Sequence, residues 1–366
     1  MVKFLYKVCV FLLPVVCVYV FPTGVLILAR EYYTARMAVR AQTEDPKTLF
    51  SMSYASSYAP YKAMLVEERQ PTIIAAGASR ALPFREMFFI TPERFTNAGL
   101  PGASLDEVKA SLEAMVRNNP GIRVVILSLD PEDFDPTFIH QPESAANLKA
   151  WYRSGWKDAY ETYAAGGYTL AQLRAAARTT QNIGLPALVH QDGMRSDGSY
   201  QYHKILSDPE HDTEIDRQIA ELVEKINTQR KIHFGRSISP EALEMLTELL
   251  ATCKAHQVYV VGFLPPFPQP MYSAMVSKDD AYSNTVKTLP RELERIFNEQ
   301  GFSFYNFTDS TIVHAGVHEY TDAGHGSDTL YARISIYLAT HDQILAQYID
   351  AVALRQLLKE HPGSSL

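Results

Sequence analysis

The stretch PTIIAAGASR, residues 71–80, runs four apolar residues into a glycine and then a serine. It is too short for a helix, lacks the polar alternation of a half-exposed strand and is bounded by Pro71 and Gly77, which reads as a buried strand entering a turn. Working outward, ALPFREMFF (81–89) reads as a short helix and ERFTNAG (93–99) as a second strand. SLDEVKASLEAMVRNN (104–119) is an amphipathic helix with Ser104 as N-cap. IRVVILSLD (122–130) is a third strand, apolar enough to be covered on both faces. The rhythm resumes with SPEALEMLTELLATCKAHQ (239–257), a helix capped by Ser239, then the strand VYVVGFLPP (258–266) and a helix over Leu289–Gln300. The strand FSFYNFTD (302–309) and helices after Asp322 complete it. Such alternation predicts a three-layer α/β/α sandwich around a mostly parallel sheet. Ligands of such sheets bind at the carboxyl ends of the strands.

The chain has 366 residues, 46% of them hydrophobic, and a formal net charge of -7 with its basic residues scattered. It has ample length for a large core, and no basic tract suited to nucleic acid. VCVFLLPVVCVYVFPTGVLILA (8–29) carries no charge and exceeds the roughly 20 apolar residues a bilayer requires. The expectation is an N-terminal transmembrane signal anchor within residues 1–35, with the rest outside the cytoplasm. Lys3 and Lys7 before it are balanced by Arg30, Arg36 and Arg40 after it, so the positive-inside rule does not orient it. Cys9 and Cys17 lie in this run, leaving Cys253 without a disulfide partner. A helical linker over 36–70, an α/β domain over 71–345 and a C-terminal helix and tail over 346–366 follow. Within the domain, residues 136–237 break the rhythm. They read as a helical, turn-rich insertion over the sheet, including NLKAWYRSGWKDAYETYAA (147–165), DGMRSDGSYQYH (192–203) and a helix near 213–228.

Several strand ends carry candidate chemistry. Ser79 stands where the first strand ends; it can cap the next helix, or present a hydroxyl beside backbone N–H groups able to hold an oxyanion. Gly102, in NAGLPGAS after the second strand, permits a tight turn or aims its own N–H at a substrate oxygen. Asp130, Asp133 and Asp135 follow the third strand, a pattern common in solvated loops. In TDAGH (321–325), Asp322 and His325 are three apart, on one helical face or around one turn. There the carboxylate can orient the imidazole toward a serine. His314, His318 and His325 invite comparison with zinc sites, but Ala315 stands where a zinc peptidase has its glutamate. Neither metal nor cofactor is called for. The two Asp-Gly pairs in residues 192–198 favour tight turns. A lid built there would offer Arg195, Tyr200, Tyr202 and His203, with Arg80, to a substrate; PPFPQPMY (265–272) would wall the cleft.

Taken in order, GASR (77–80), NAGLPGAS (97–104), ILSLDP (126–131) and TDAGH (321–325) resemble the blocks of the SGNH/GDSL hydrolase superfamily. The resemblance implies Ser79 as nucleophile, His325 as base, Asp322 as its orienter, and an oxyanion hole built from Ser79, Gly102 and the position of Asp130. The sequence departs from the pattern twice: Asp130 replaces the family's asparagine, and Ala78 replaces the aspartate of GDSL. With its N-terminal anchor and middle insertion, the chain looks most like the envelope branch that handles alginate O-acetyl and teichoic-acid D-alanyl groups. That branch implies a membrane-anchored serine acyltransferase or esterase, acting outside the inner membrane on O-acyl groups of surface polysaccharide, with a membrane-bound acyltransferase as possible partner. An inactive relative serving as a binding or scaffold subunit is the competing expectation.

Overall fold

A computed structural model describes residues 1–15, 19–52, 58–136, 157, 159–228, 237–278, 282, 284–361, 363 and 366. The chain forms two compact units, one of Met1–Ser56, Glu143–Ser196 and Tyr200–Lys204, the other of Ser57–Pro142, Asp197–Ser199 and Ile205–Leu366.

The larger unit is built on β1 (Ile73–Ala76), β2 (Phe95–Asn97) and β3 (Val124–Ser128). The smaller unit contributes a separate hairpin, β4 (Asp192–Met194) with β5 (Tyr200–Tyr202). β6 (Tyr259–Leu264) and β7 (Ser303–Asn306) complete a five-stranded parallel sheet in the order β2-β1-β3-β6-β7. The sheet is covered on both faces, as the continuous apolar runs required. Ile74, Ala76, Val125, Leu127, Val260 and Leu264 share one core with the helices Leu105–Asn118, Pro240–Ala255 and Leu289–Gln300. The alternate residues Ile73, Ala75, Val124, Ile126, Val261 and Phe263 share the other with the helix Asp328–His341. The chain leaves β1 toward β2 on one side and β3 toward β6 on the other, which puts the topological switch point, where ligands of such sheets bind, at the carboxyl ends of β1 and β3.

Helix starts follow local chemistry. The Glu107 carboxylate accepts from the Ser104 N–H at 3.0 Å, and Ser239 Oγ accepts from the Ala242 N–H at 3.2 Å, satisfying donors that a helix end leaves orphaned. The helix expected over 81–89 is instead two 3₁₀ turns, Ser79–Ala81 and Glu86–Phe88. Pro83, between them, cannot donate the backbone bond a continuous helix needs.

In the smaller unit, the N-terminal apolar run includes the helices Val2–Val15 and Phe21–Leu28. Among the described residues, no helix is long and apolar enough to cross a membrane; residues 16–18, inside the expected span, lie outside them. Val25 and Ala29, at the end of that run, are buried with Leu173, Leu185 and Leu188. Arg30 then donates to the carbonyls of Asn182 (2.7 Å) and Ala177 (3.0 Å), and Glu31 accepts from the Leu185 N–H (2.7 Å). The end of the run thus packs within the smaller unit. Of the helix expected over 147–165, residues 147–156 and 158 lie outside the described residues.

Candidate active site

Ser79 leaves β1 through Gly77 and Ala78. Gly77 has φ +136°, and a side-chain carbon there would lie 2.5 Å from the Ser128 carbonyl oxygen at the end of β3. Only glycine lets the chain turn so tightly against its neighbour, which sets Ser79 at the strand edge. Beyond it, the buried Asn97 amide donates to the carbonyls of Ala81 (2.8 Å), Leu82 (3.2 Å) and Phe84 (2.9 Å), while its oxygen accepts from the Gly99 N–H (2.9 Å). One side chain therefore satisfies the loop that follows the serine.

His325 arrives from the far end of the chain on a small hairpin, β8 (Tyr320–Asp322) and β9 (His325–Gly326). Asp322 and His325 thus face each other across a tight turn, and the next helix begins only at Asp328 with Ser327 as N-cap. The Asp322 carboxylate closes the turn by accepting from the N–H groups of Gly324 (2.7 Å) and His325 (2.9 Å). Both of its oxygens also lie 2.9 Å from His325 Nδ1. On the other side of the ring, Nε2 is 2.8 Å from Ser79 Oγ. With Asp322 ionised, Nδ1 carries the proton and Nε2 is left to accept from the serine hydroxyl. Burial works to raise the Asp322 carboxyl, but the His325 bond and charge and the two backbone donors outweigh it and hold it below its ordinary value.

Gly102 sits in a left-handed turn (φ +69°) with open space where a side chain would project. Its loop is tied to the serine turn by the Leu100 N–H, which donates to the Gly77 carbonyl at 2.9 Å. Among the described residues, neither Ser79 nor Gly102 donates its N–H to a protein acceptor.

Asp130 lies two residues beyond the end of β3 and is buried, and its Oδ1 has no hydrogen-bond partner. Burial raises its carboxyl, opposed by the charge of Arg80 and, more weakly, that of His325. Arg80, buried beside it, approaches Oδ1 at 3.7 Å. Asp133 is pushed up to about 8, chiefly by burial and then by Asp130.

Arg195, Tyr200, Tyr202 and His203 belong to the smaller unit, where Arg195 donates to the Tyr200 carbonyl at 2.9 Å and the two tyrosine rings pack at 4.6 Å. His314 closes a 3₁₀ turn in a left-handed conformation, and His318 faces Asp216 (3.3 Å) and Asp212 (3.5 Å). Among the described residues, no three such groups converge as metal ligands.

Lys62 was not singled out in the sequence, where it sits in what reads as a polar linker. It is buried, and its amine donates to the carbonyls of Asn97 (3.0 Å) and Gly198, bracing the residue that holds the serine loop. Burial pushes its pKa down to about 7, against the pull of Asp197. A lysine depressed in the native state sheds its proton there while the unfolded chain still binds it, so stability rises with pH from about 7 toward 10. Across about pH 7 to 9.5, wild type should gain about 3 kcal/mol relative to Lys62→Met in urea denaturation. A difference that stays flat with pH refutes the assignment.

No protein-family model matches the chain, and no curated protein matches it.

Proposed function

We propose that the protein is a serine acyltransferase or esterase of SGNH/GDSL type. The observation that carries this reading is the continuous relay Asp322–His325–Ser79, with 2.9 Å and 2.8 Å links, at the carboxyl edge of a parallel sheet. In the reaction, Ser79 Oγ attacks an ester carbonyl carbon while its proton passes to His325 Nε2. The resulting oxyanion faces the N–H groups of Ser79 and Gly102. Its collapse breaks the ester bond, and His325 returns the proton to the departing alkoxide. A second hydroxyl, from a polysaccharide or from water, gives its proton to His325 as it attacks the acyl-serine, and His325 passes that proton to Ser79 Oγ as the acyl–oxygen bond to the serine breaks. O-acyl groups, acetyl above all, of surface polysaccharide are the proposed substrates. The proposed setting is the outer side of the inner membrane, beside a membrane-bound acyltransferase that supplies or receives the acyl group.

Fluorophosphonate labelling tests the chemistry: wild type should be labelled on Ser79, and Ser79→Ala should not. A folded wild type that stays unlabelled would mean there is no activated serine. The competing reading, a glycan-binding or scaffold subunit without turnover, draws on Asp130, whose carboxylate cannot donate to an oxyanion as an asparagine would. It predicts glycan retention unchanged by Ser79→Ala.

A further inference from the structure

Arg80 is an unusual neighbour for a nucleophile. It is only 8% exposed, yet none of its N–H groups donates a hydrogen bond to any group in the described structure. Its contacts are the ion pair with Asp130, at 3.7 Å too long for a hydrogen bond, and the face of Phe267, whose ring centre is 5.7 Å away. Its nitrogens are nevertheless not among the enclosed polar atoms left without a partner, so they open to water and are free to donate to a bound oxygen. The guanidinium belongs to the residue after Ser79 and senses the charge of Asp322, while Asp130 senses that of His325. Arg80 follows β1 and Asp130 follows β3, so their ion pair bridges the carboxyl ends of these two strands beside the nucleophile.

Building on the serine-ester reading, we infer that Arg80 is a catalytic residue, its guanidinium donating to the oxyanion formed on the ester carbonyl. Asp130 then has a different task from the asparagine it replaces. A carboxylate cannot donate, but it can hold an arginine that does, and Phe267 supports the plane of the fork. The tetrahedral oxygen takes the electron pair of the carbonyl π bond. The guanidinium supplies N–H donors and charge while keeping its protons, and the pair returns to the carbonyl when the alkoxide leaves. Such stabilisation acts on the transition state and leaves ground-state binding nearly unchanged.

The test uses the full chain with p-nitrophenyl acetate, a neutral ester that offers an arginine no anionic group, alongside a fluorophosphonate whose phosphoryl oxygen takes the oxyanion position. Arg80→Gln should lower kcat and the labelling rate constant by about 10²–10³-fold with KM nearly constant, at an unchanged circular-dichroism spectrum. Arg80→Lys keeps the charge and the pairing with Asp130 but loses the planar fork, so it should fold and still lose at least about tenfold. If Arg80→Gln does not fold, Arg80→Lys decides. Either folded variant reacting at the wild-type rate overturns the role of Arg80 while leaving the serine-ester reading intact; a rise in KM at constant kcat overturns it in favour of substrate binding. A wild type inert toward both reagents overturns the serine-ester reading itself.

Discussion

Ser79→Ala, His325→Ala and the double variant are expected to fall to the same residual turnover of p-nitrophenyl acetate, about 10⁵–10⁶-fold below wild type. The equality is the informative part. Ser79 Oγ and His325 Nε2 share a single proton across 2.8 Å, so neither group works without the other. Without the imidazole, the hydroxyl must attack at its own very high pKa; without the hydroxyl, the imidazole has no nucleophile to activate. The two losses therefore overlap instead of multiplying, and the floor they share is set by the backbone donors around Ser79 and Gly102. Measured as kcat, a double variant that falls another several orders of magnitude below either single variant would show that the two groups act in separate steps. Folding should survive each change. Ser79 occupies a short turn whose conformation is set by Gly77 and by the carbonyls bound to Asn97, and the His325 side chain is 32% exposed.

The parallel sheet was legible because β1, β3 and β6 are continuous apolar runs, and a strand buried on both faces has no alternative reading at that length. Ser104 and Ser239 marked helix starts because a capping side chain is a local feature that sequence displays directly. The residues that support the site were hidden for a common reason. Lys62 and Asn97 are polar types whose usual place is the surface, and their burial follows from long-range assembly that no periodicity records; Arg80 was read as a substrate contact, but its burial beside Asp130 was equally hidden. Asn97 answers carbonyls of residues 81–84, a cluster visible only once β2 lies beside β1. The hairpin bearing Asp322 and His325 has strands of three and two residues, too short to show alternation. Its spacing of three served the same pairing through a turn that it would have served through a helix. The N-terminal run shows the complementary ambiguity: Val25 and Ala29 read the same whether lipid or Leu185 covers them.

Asp322→Asn should cost about 10⁴-fold in kcat while leaving the hairpin intact. The reason lies in how the carboxylate divides its work. Oδ1 accepts from the Gly324 and His325 N–H groups, and Oδ2 faces Nδ1 at 2.9 Å. In asparagine, the amide oxygen must take the Oδ1 place, because an NH₂ group there would meet two backbone donors. The NH₂ then falls opposite Nδ1 and donates to it, which moves the ring proton to Nε2. An imidazole protonated at Nε2 donates to Ser79 and cannot take its proton. Nitrogen-resolved NMR of His325 should show Nδ1–H in wild type and Nε2–H in the variant; unchanged tautomers with lost activity would point to the missing charge alone. The pH dependence separates these further. Because the native carboxyl is held below its ordinary value, its stabilisation is complete above the unfolded pKa of about 3.9 and is lost only as pH falls through the lower native value. The stability advantage of wild type over Asp322→Asn should thus be constant at neutral pH and shrink below about pH 4, whereas the activity difference persists wherever the tautomer is wrong.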